Sequence, residues 1–216
     1  MSTLKTARQR VSSTLSSRTC RAIAERMRMF HKALEWTIPI LWFLWLAYWL
    51  IEARNTAPTQ KSESLSTAVA YRGATIIGII LIFGLKRPLA RLLWPVSVPL
   101  LCVAVILMLC GFSFAIWARR HLGRYWSARV TLKEGHQLIE SGPYDLVRHP
   151  IYSGLLLSMA ATVMTIGSLQ SVCGYALLVG ALIFKMAAEE SLLAANLGQA
   201  YRDYRKRVKA LIPGVI

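Results

Sequence analysis

The chain has 216 residues, of which 55% are hydrophobic and 17% charged, and its formal net charge is +16. A mean hydropathy of +0.45 is above that of ordinary soluble domains. The basic residues flank apolar runs and form no separate module, so anionic lipid headgroups explain the charge better than nucleic acid does. We therefore predict an all-α integral membrane protein of about five transmembrane helices, with no nucleic-acid partner.

The first predicted region, residues 1–35, is rich in Arg, Lys and Ser. This composition is compatible with a transit peptide. A basic helix lying on the membrane surface from about residue 18 to residue 34 explains it as well, and we favour that interpretation.

The second predicted region, residues 36–118, carries three apolar runs at about 36–51, 68–85 and 94–117. Trp and Tyr lie near the ends of the first run, as in interfacial belts. Arg72 interrupts the second run, which makes it the weakest candidate span.

The third predicted region, residues 119–216, begins with a hydrophilic stretch and then carries apolar runs at about 151–169 and 172–184. The turn Gly167–Gln170 between these runs is so short that it predicts a helical hairpin. The tail from residue 192 to residue 212 alternates apolar and basic residues, which is typical of an interfacial helix. Five strict crossings would put the basic N-terminus on the opposite side from the other basic loops, against the positive-inside rule. The orientation of the N-terminus therefore stays open.

The four cysteines show no metal-ligand spacing, and three of them lie in apolar runs. A free cysteine in such a place behaves as a small hydrophobic residue. We predict no disulfide and no metal site.

The segment 141–154 concentrates polar and turn-forming residues in front of an apolar run. Gly142-Pro143 predicts a tight turn, and Pro150 suits the first turn of a helix. A helix that begins there would direct its positive dipole end towards Arg148 and His149. This arrangement favours an anionic group.

A second group of charged residues follows the last apolar run. Lys185 and Glu189 are four residues apart and share one helix face, which by itself indicates an interfacial ion pair. Glu190 adds an acid at the edge of the hydrocarbon, where charge is costly and tends to be functional.

Two sets of motifs occur in a fixed order over roughly residues 123–213. The first set is His136-Gln137-Leu138-Ile139, Gly142-Pro143-Tyr144 and Arg148-His149-Pro150-Ile151-Tyr152-Ser153-Gly154. The second set is Glu189-Glu190, Leu193, Gly198, Tyr201, Tyr204, Arg207-Val208 and Leu211-Ile212-Pro213. In residue types and order they resemble the isoprenylcysteine carboxyl methyltransferase family, and the resemblance is specific for the superfamily but not for the substrate.

The resemblance implies a membrane methyltransferase that uses S-adenosylmethionine, with a cofactor pocket between the segment before the fourth run and the helix of the fifth. It places His136, Gln137, Leu138 and Ile139 at the adenosine end. It also assigns to the cofactor pocket Tyr144, Arg148, His149, Pro150, Ile151, Tyr152 and Glu189.

Three further positions carry expectations about the reaction. Lys185 falls where the family has an arginine near a substrate carboxylate, which keeps the charge but loses the bidentate geometry. Arg129 stands where the family has a neutral polar contact to the cofactor. Glu190 is the candidate proton acceptor for an amine substrate, so Lys185 and Glu190 are the predicted catalytic residues.

The acceptor implied is a lipophilic or lipidated molecule, and a prenylcysteine-like carboxylate, a phospholipid amine and a small thiol all remain open. Membrane lipids are expected neighbours, and no protein partner is predicted. An NADPH-dependent sterol-type reductase is an alternative enzyme class, although Ile151 and Leu155 replace the residues that such reductases favour. A scaffold without activity is a further alternative, which the presence of His149, Tyr152 and Glu189 argues against. The active face is expected to be cytoplasmic, since the cofactor is made in the cytoplasm.

Overall fold

The computed structural model describes residues 2–54, 59–62, 64–84, 91–126, 131–133 and 138–215. Long helices dominate these residues. In chain order the elements are α1 (Ser2–Glu52), β1 (Thr59–Ser62), α2 (Leu65–Phe83), α3 (Val98–Leu122), a 3-10 turn (Gly123–Tyr125), β2 (Thr131–Lys133), α4 (Pro143–Leu146), α5 (Pro150–Ile166) and α6 (Leu169–Arg207).

Among these described residues, four helical segments are long and apolar enough to cross a membrane. They are the part of α1 from Arg21 to Glu52, then α2, α3 and α6. Helix α5 is apolar but has 17 residues, fewer than the roughly 20 that a straight crossing needs. The predicted class, an all-α integral membrane protein, is confirmed. The second run forms a helix of spanning length despite Arg72, and the fourth run forms the shorter α5.

Helix α1 has no break at the boundary expected near residue 35, because it continues through Pro39 to Glu52. Its membrane-spanning part packs chiefly against α3. Ile38 of α1 is buried in a cluster with Leu101, Met108 and Phe112 of α3. The division of the chain into three regions stays a prediction.

Two pairs of helices meet where glycines face each other. A Cβ atom on Gly154 of α5 would lie 2.3 Å from the carbonyl oxygen of Gly111 in α3, and one on Gly174 of α6 would lie 2.7 Å from that of Gly78 in α2. Small residues at such crossings let helix backbones approach closely inside a membrane. The α3–α5 and α2–α6 pairs are the most extensive helix contacts of the described residues.

The predicted turn between α5 and α6 is present. Gly167 ends α5 with a φ of 65°, and Ser168 begins α6 by accepting a hydrogen bond from the backbone N–H of Ser171. Each helix then packs mainly against an earlier helix, α5 against α3 and α6 against α2. The turn therefore joins two helix pairs, and the space between the pairs is where the cavity described below lies.

A short antiparallel ribbon, which the all-α prediction does not include, pairs β1 with β2. Thr59 lies opposite Lys133 and Ser62 lies opposite Thr131. The ribbon ties the connection between α1 and α2 to the segment that follows α3.

Candidate active site

A cavity of about 560 Å³ lies among α1, α2, α5, α6 and the segment between α3 and α5. Its lining divides into two parts of different chemistry. We call His149, Tyr152, Lys185 and Glu189 the polar side. We call Trp45, Trp49, Tyr71, Tyr125 and Trp126 the aromatic side.

The polar side is centred on the carboxylate of Glu189. The Tyr152 hydroxyl donates a hydrogen bond to Glu189 Oε1 at 2.6 Å. His149 Nδ1 lies 3.7 Å from Glu189 Oε2, and Lys185 Nζ lies 3.9 Å from Oε1. The rings of His149 and Tyr152 stack with centroids 5.5 Å apart and an interplanar angle of 11°. Three polar groups thus converge on one carboxylate.

Local sequence explains this convergence. Pro150 begins α5, as predicted, so His149 lies immediately before the helix and Tyr152 lies in its first turn. Lys185 and Glu189 are one helical turn apart on α6 and face the same direction. Lys185 Nζ also lies 5.2 Å from the ring centroid of Tyr152 and 5.3 Å from that of Tyr71 in α2. Its ammonium group therefore stands between the polar and aromatic sides.

Glu190 faces a different group of residues and is not part of the cavity lining. Arg148 donates to Glu190 Oε1 from Nε at 2.8 Å, and His149 Nε2 lies 3.2 Å from the same oxygen. Arg205 Nε lies 3.1 Å from Oε2. Arg148 and Glu190 are both at most 9% exposed at their side chains. Glu190 therefore ties Arg148, His149 and Arg205 together, and its proton-accepting role stays a prediction.

The same arginine also binds the segment after α6. Arg148 donates to the carbonyl oxygens of Arg205, at 3.2 Å, and of Val208. The backbone N–H groups of Arg148 and His149 donate to the carbonyls of Lys209 and Ala210 at 2.8 and 2.9 Å. The three nitrogens of the Arg148 guanidinium and the backbone N–H groups of residues 148 and 149 thus all have partners within the protein, and the anion-binding role of Arg148 stays a prediction.

One more hydrogen bond completes this attachment. Ser153 Oγ donates to the carbonyl oxygen of Leu211 at 2.6 Å. Residues 208–211 therefore lie along the start of α5. We call these four residues the tail strap.

A kink in α6 brings two tyrosines to the cavity. Gly198 has a φ of 62° inside the helix, and beyond it Tyr201 and Tyr204 are buried and line the cavity. The Tyr204 hydroxyl donates to the carbonyl oxygen of Tyr144 at 2.6 Å. Burial raises the pKa of the Tyr144 phenol well above its usual range. Tyr144 therefore acts as a neutral hydrogen-bonding group near neutral pH.

The aromatic side consists of rings that pack against one another. Trp45 and Trp49 stack with centroids 4.5 Å apart, and Trp126 meets Trp49 edge to face at 5.4 Å. From sequence alone, the tryptophans near the ends of the first run are typical of an interfacial belt, and Arg72 is an interruption of the second run. Arg72 and Tyr71 in fact line the cavity. An ionisable residue inside an apolar run was the available signal, since such residues are functional candidates by default.

Most of the residues predicted for the site lie in the lining of this one cavity. They are Leu138, Ile139, Tyr144, Arg148, His149, Pro150, Ile151, Tyr152, Lys185 and Glu189. Three further positions, Arg129, His136 and Gln137, lie outside the described residues. The roles assigned to all of these residues remain predictions.

The cavity lies among the described apolar helices, and its lining includes one carboxylate, a histidine, a lysine and several tyrosines. Residues 103–195 match the isoprenylcysteine carboxyl methyltransferase (ICMT) family. This match confirms the resemblance expected from the motifs.

The chain is similar to methyltransferases from distant organisms. Methanethiol S-methyltransferase 1 of Bradyrhizobium diazoefficiens is 33% identical over 154 residues, covering 63% of this chain and 51% of the relative. Protein-S-isoprenylcysteine O-methyltransferase of Schizosaccharomyces pombe is 33% identical over 79 residues, covering 36% of this chain and 34% of the relative. The chain thus spans about half, or less, of the length of these relatives.

A solved structure, that of the eukaryotic intramembrane Ras methyltransferase ICMT, matches with a TM-score of 0.46 and 20% identity. The match covers 72% of this chain and 55% of that chain.

Proposed function

We propose that this protein transfers a methyl group from S-adenosylmethionine to a lipophilic acceptor at the cytoplasmic face of a membrane. The observation that carries the proposal is the convergence of Tyr152, His149 and Lys185 on Glu189 inside one cavity. The matched segment, residues 103–195, contains all four of these residues.

The residues of the cavity suit the chemical groups of S-adenosylmethionine. Glu189 offers a carboxylate to its ammonium group, and the start of α5 beside His149 offers a positive dipole end to its carboxylate. The faces of Tyr152 and Tyr144 suit a sulfonium cation. Leu138, at the edge of the same cavity, provides an apolar contact for an adenosine ring.

When bound, S-adenosylmethionine supplies a methyl group whose bond to sulfur breaks as a bond to the acceptor forms. The protein's own contribution is positioning and electrostatics. The hydrogen bond from Tyr152 fixes the position of the Glu189 carboxylate. A carboxylate or thiolate acceptor needs no general base, which agrees with the ion pair that ties Glu190 to Arg148 outside the cavity lining.

A carboxylate acceptor of the prenylcysteine type is our first choice. Lys185 stands between the polar and aromatic sides, so its ammonium group can attract a carboxylate while the aromatic side contacts the apolar part of the acceptor. Helices α1 and α2 contribute residues to the aromatic side and also have exposed apolar faces suited to lipid, so a lipophilic acceptor can approach the aromatic side from the bilayer.

A small thiol is the second candidate, and one comparison favours it. The methanethiol S-methyltransferase relative aligns over 154 residues, whereas the prenylcysteine relative aligns over 79. A phospholipid amine is less supported. It must give up a proton, and the residue expected to accept that proton, Glu190, is paired with Arg148. The NADPH-dependent reductase gains no support, since both relatives are methyltransferases by name.

The test uses the full chain purified in detergent. Calorimetry should detect binding of S-adenosylmethionine and none of NADPH. Transfer of labelled methyl groups is then measured with three acceptors, N-acetyl-S-farnesylcysteine, methanethiol and phosphatidylethanolamine. Labelling of the farnesylcysteine carboxylate supports the first choice, and labelling of methanethiol alone supports the second. Binding of NADPH without S-adenosylmethionine would refute the proposal.

A further inference from the structure

We infer that Arg119 is a positioning residue that sets the aromatic side of the cavity by holding the end of α1 in place. The inference builds on the proposed function, because it assigns the acceptor to that side.

Arg119 joins the ends of two helices. It is 1% exposed and belongs to the last turn of α3. One terminal nitrogen of its guanidinium donates to the carbonyl oxygen of Gly123 at 2.7 Å, and the other donates to that of Glu52 at 2.7 Å. The nitrogen bound to Glu52 also lies 3.6 Å from the side-chain oxygen Oε2 of the same residue.

These contacts supply a hydrogen-bond donor and a positive charge to the C-terminal end of α1. The last carbonyl groups of a helix lack partners within the helix, and a cation near them is stabilising. The last turn of α1 contains no basic residue. Because α1 packs chiefly against α3, the cation that caps it comes from α3.

The same side chain touches the cavity wall. The guanidinium carbon of Arg119 lies 4.7 Å from the ring centroid of Trp126. Trp126 meets Trp49 edge to face, and Trp49 lies one turn before Glu52 on α1. Arg119 thus contacts both Glu52 and Trp126, and Trp126 in turn contacts Trp49 on the same helix as Glu52. We call this closed set of contacts the circuit.

The circuit extends along the wall towards the membrane interior. Trp49 stacks on Trp45, and Trp45 stacks on Phe112 of α3 at 4.7 Å and 17°. Phe112 and Arg119 lie two turns apart on α3. The position of three aromatic rings therefore depends on how the end of α1 is held against α3.

A role in folding alone explains these facts less well. The contact of α3 with α5 is already supplied by Gly111 and Gly154 and by apolar burial. A buried arginine is costly near a membrane and is typically retained for a functional reason. Arg119 contacts Trp126, which lines the cavity, and Glu52, which lies one turn after the lining residue Trp49.

The experiment compares Arg119→Lys with the matched control Arg120→Lys, since Arg120 is the exposed neighbour on the same helix. Lysine keeps the charge but cannot bridge two carbonyls with a planar fork. We expect Arg119→Lys to lower kcat/KM about ten- to hundredfold through the KM of the acceptor, because a small misplacement of a substrate-positioning wall has effects of this size. The acceptor is N-acetyl-S-farnesylcysteine or methanethiol, whichever the wild-type protein methylates. The affinity for S-adenosylmethionine should not change, and neither should the control.

Hydrogen–deuterium exchange gives a second measurement that does not depend on turnover. Amides of residues 47–52 should exchange faster in Arg119→Lys, whereas those of α5 should not. Glu52→Gln, which keeps the backbone contact, should show a smaller change in the same direction and replaces Arg119→Lys if that variant does not fold.

Two results would overturn the inference. The first is an unchanged rate of amide exchange at residues 47–52 in Arg119→Lys. The second is a loss of affinity for S-adenosylmethionine as large as the loss of affinity for the acceptor, because such a result indicates general destabilisation. If the wild-type protein transfers no methyl group to any acceptor, the proposed function fails, and the exchange data alone decide whether Arg119 holds α1.

Discussion

The polar and aromatic sides of the cavity are held in place by different forces. Glu189 and its neighbours belong to a network of charged hydrogen bonds that continues through Glu190 and Arg148 into the tail strap. The aromatic side is held by ring packing and by a single buried guanidinium, that of Arg119. Charged hydrogen bonds fix geometry strictly, whereas ring contacts allow adjustment.

This difference suits a site with one constant ligand and one variable ligand. In the proposed function, the polar side binds the methyl donor, which is the same in every reaction of this type. The aromatic side then binds the acceptor, and the names of the relatives give different acceptors, prenylcysteine and methanethiol. The comparison suggests that changes on the polar side abolish function and that changes on the aromatic side alter specificity.

The largest effect is expected from Glu190→Ala. It leaves Arg148 buried without its acid, and removal of one partner of a buried ion pair costs about 3–5 kcal/mol. Thermal unfolding in detergent should show a clear drop in Tm. The control Asp203→Ala removes an exposed pair with Lys206 on the same helix and should leave Tm unchanged. Equal shifts in the two variants would contradict the structural tie.

Next in size is the isosteric change Glu189→Gln, which should weaken binding of S-adenosylmethionine while the fold is kept. A hydrogen bond to a charged group contributes about 1.5–3 kcal/mol, or roughly ten- to hundredfold in Kd. Calorimetric titration measures this. Glu25→Gln, at an exposed position of α1, is the control. Unaltered affinity in Glu189→Gln would show that the donor binds elsewhere.

A smaller and more selective effect is expected from Lys185→Ala. The KM of a carboxylate acceptor should rise about tenfold, which corresponds to one ion pair of about 1.4 kcal/mol. Binding of S-adenosylmethionine should stay near that of the wild type. With methanethiol as acceptor the change should be slight, because a thiol carries no carboxylate to pair with Lys185. A collapse of donor affinity would place Lys185 in the donor site and refute its acceptor role.

The smallest effect is expected from Ser153→Ala. It removes the hydrogen bond to Leu211 and should lower stability by about 1 kcal/mol, with a modest loss of donor affinity. Thr37→Ala is the control, because the hydroxyl of Thr37 donates its hydrogen bond within its own helix, to the carbonyl oxygen of Ala33. If the two variants behave alike, the tail strap does not depend on Ser153.

The C-terminal half was predictable because its signals are contiguous in sequence. Pro150 marked the start of α5, and the spacing of Lys185 and Glu189 placed both on one face of α6. Glu190 was harder to place, since one residue along a helix turns a side chain by about 100°. That rotation directs Glu190 towards Arg148 and away from the cavity.

The aromatic side was not predictable in the same way. Trp45 and Trp49 lie about 100 residues before α5, and their sequence pattern is identical for a lipid-facing belt and for a cavity wall. Only the packing of α1 against α3 distinguishes these arrangements. The ribbon of β1 with β2 was likewise missed, because two short polar segments give no periodic signal.

The tail strap has a consequence for the order in which the protein acquires its site. The carbonyls of Lys209, Ala210 and Leu211 bond to the start of α5, although some 60 residues separate the partners. During synthesis, α1 to α5 emerge well before these residues do, and N-terminal segments generally assemble first. The polar side therefore reaches its final geometry only after residue 211 has emerged from the ribosome. Until then the nascent protein occupies the membrane without a complete polar side.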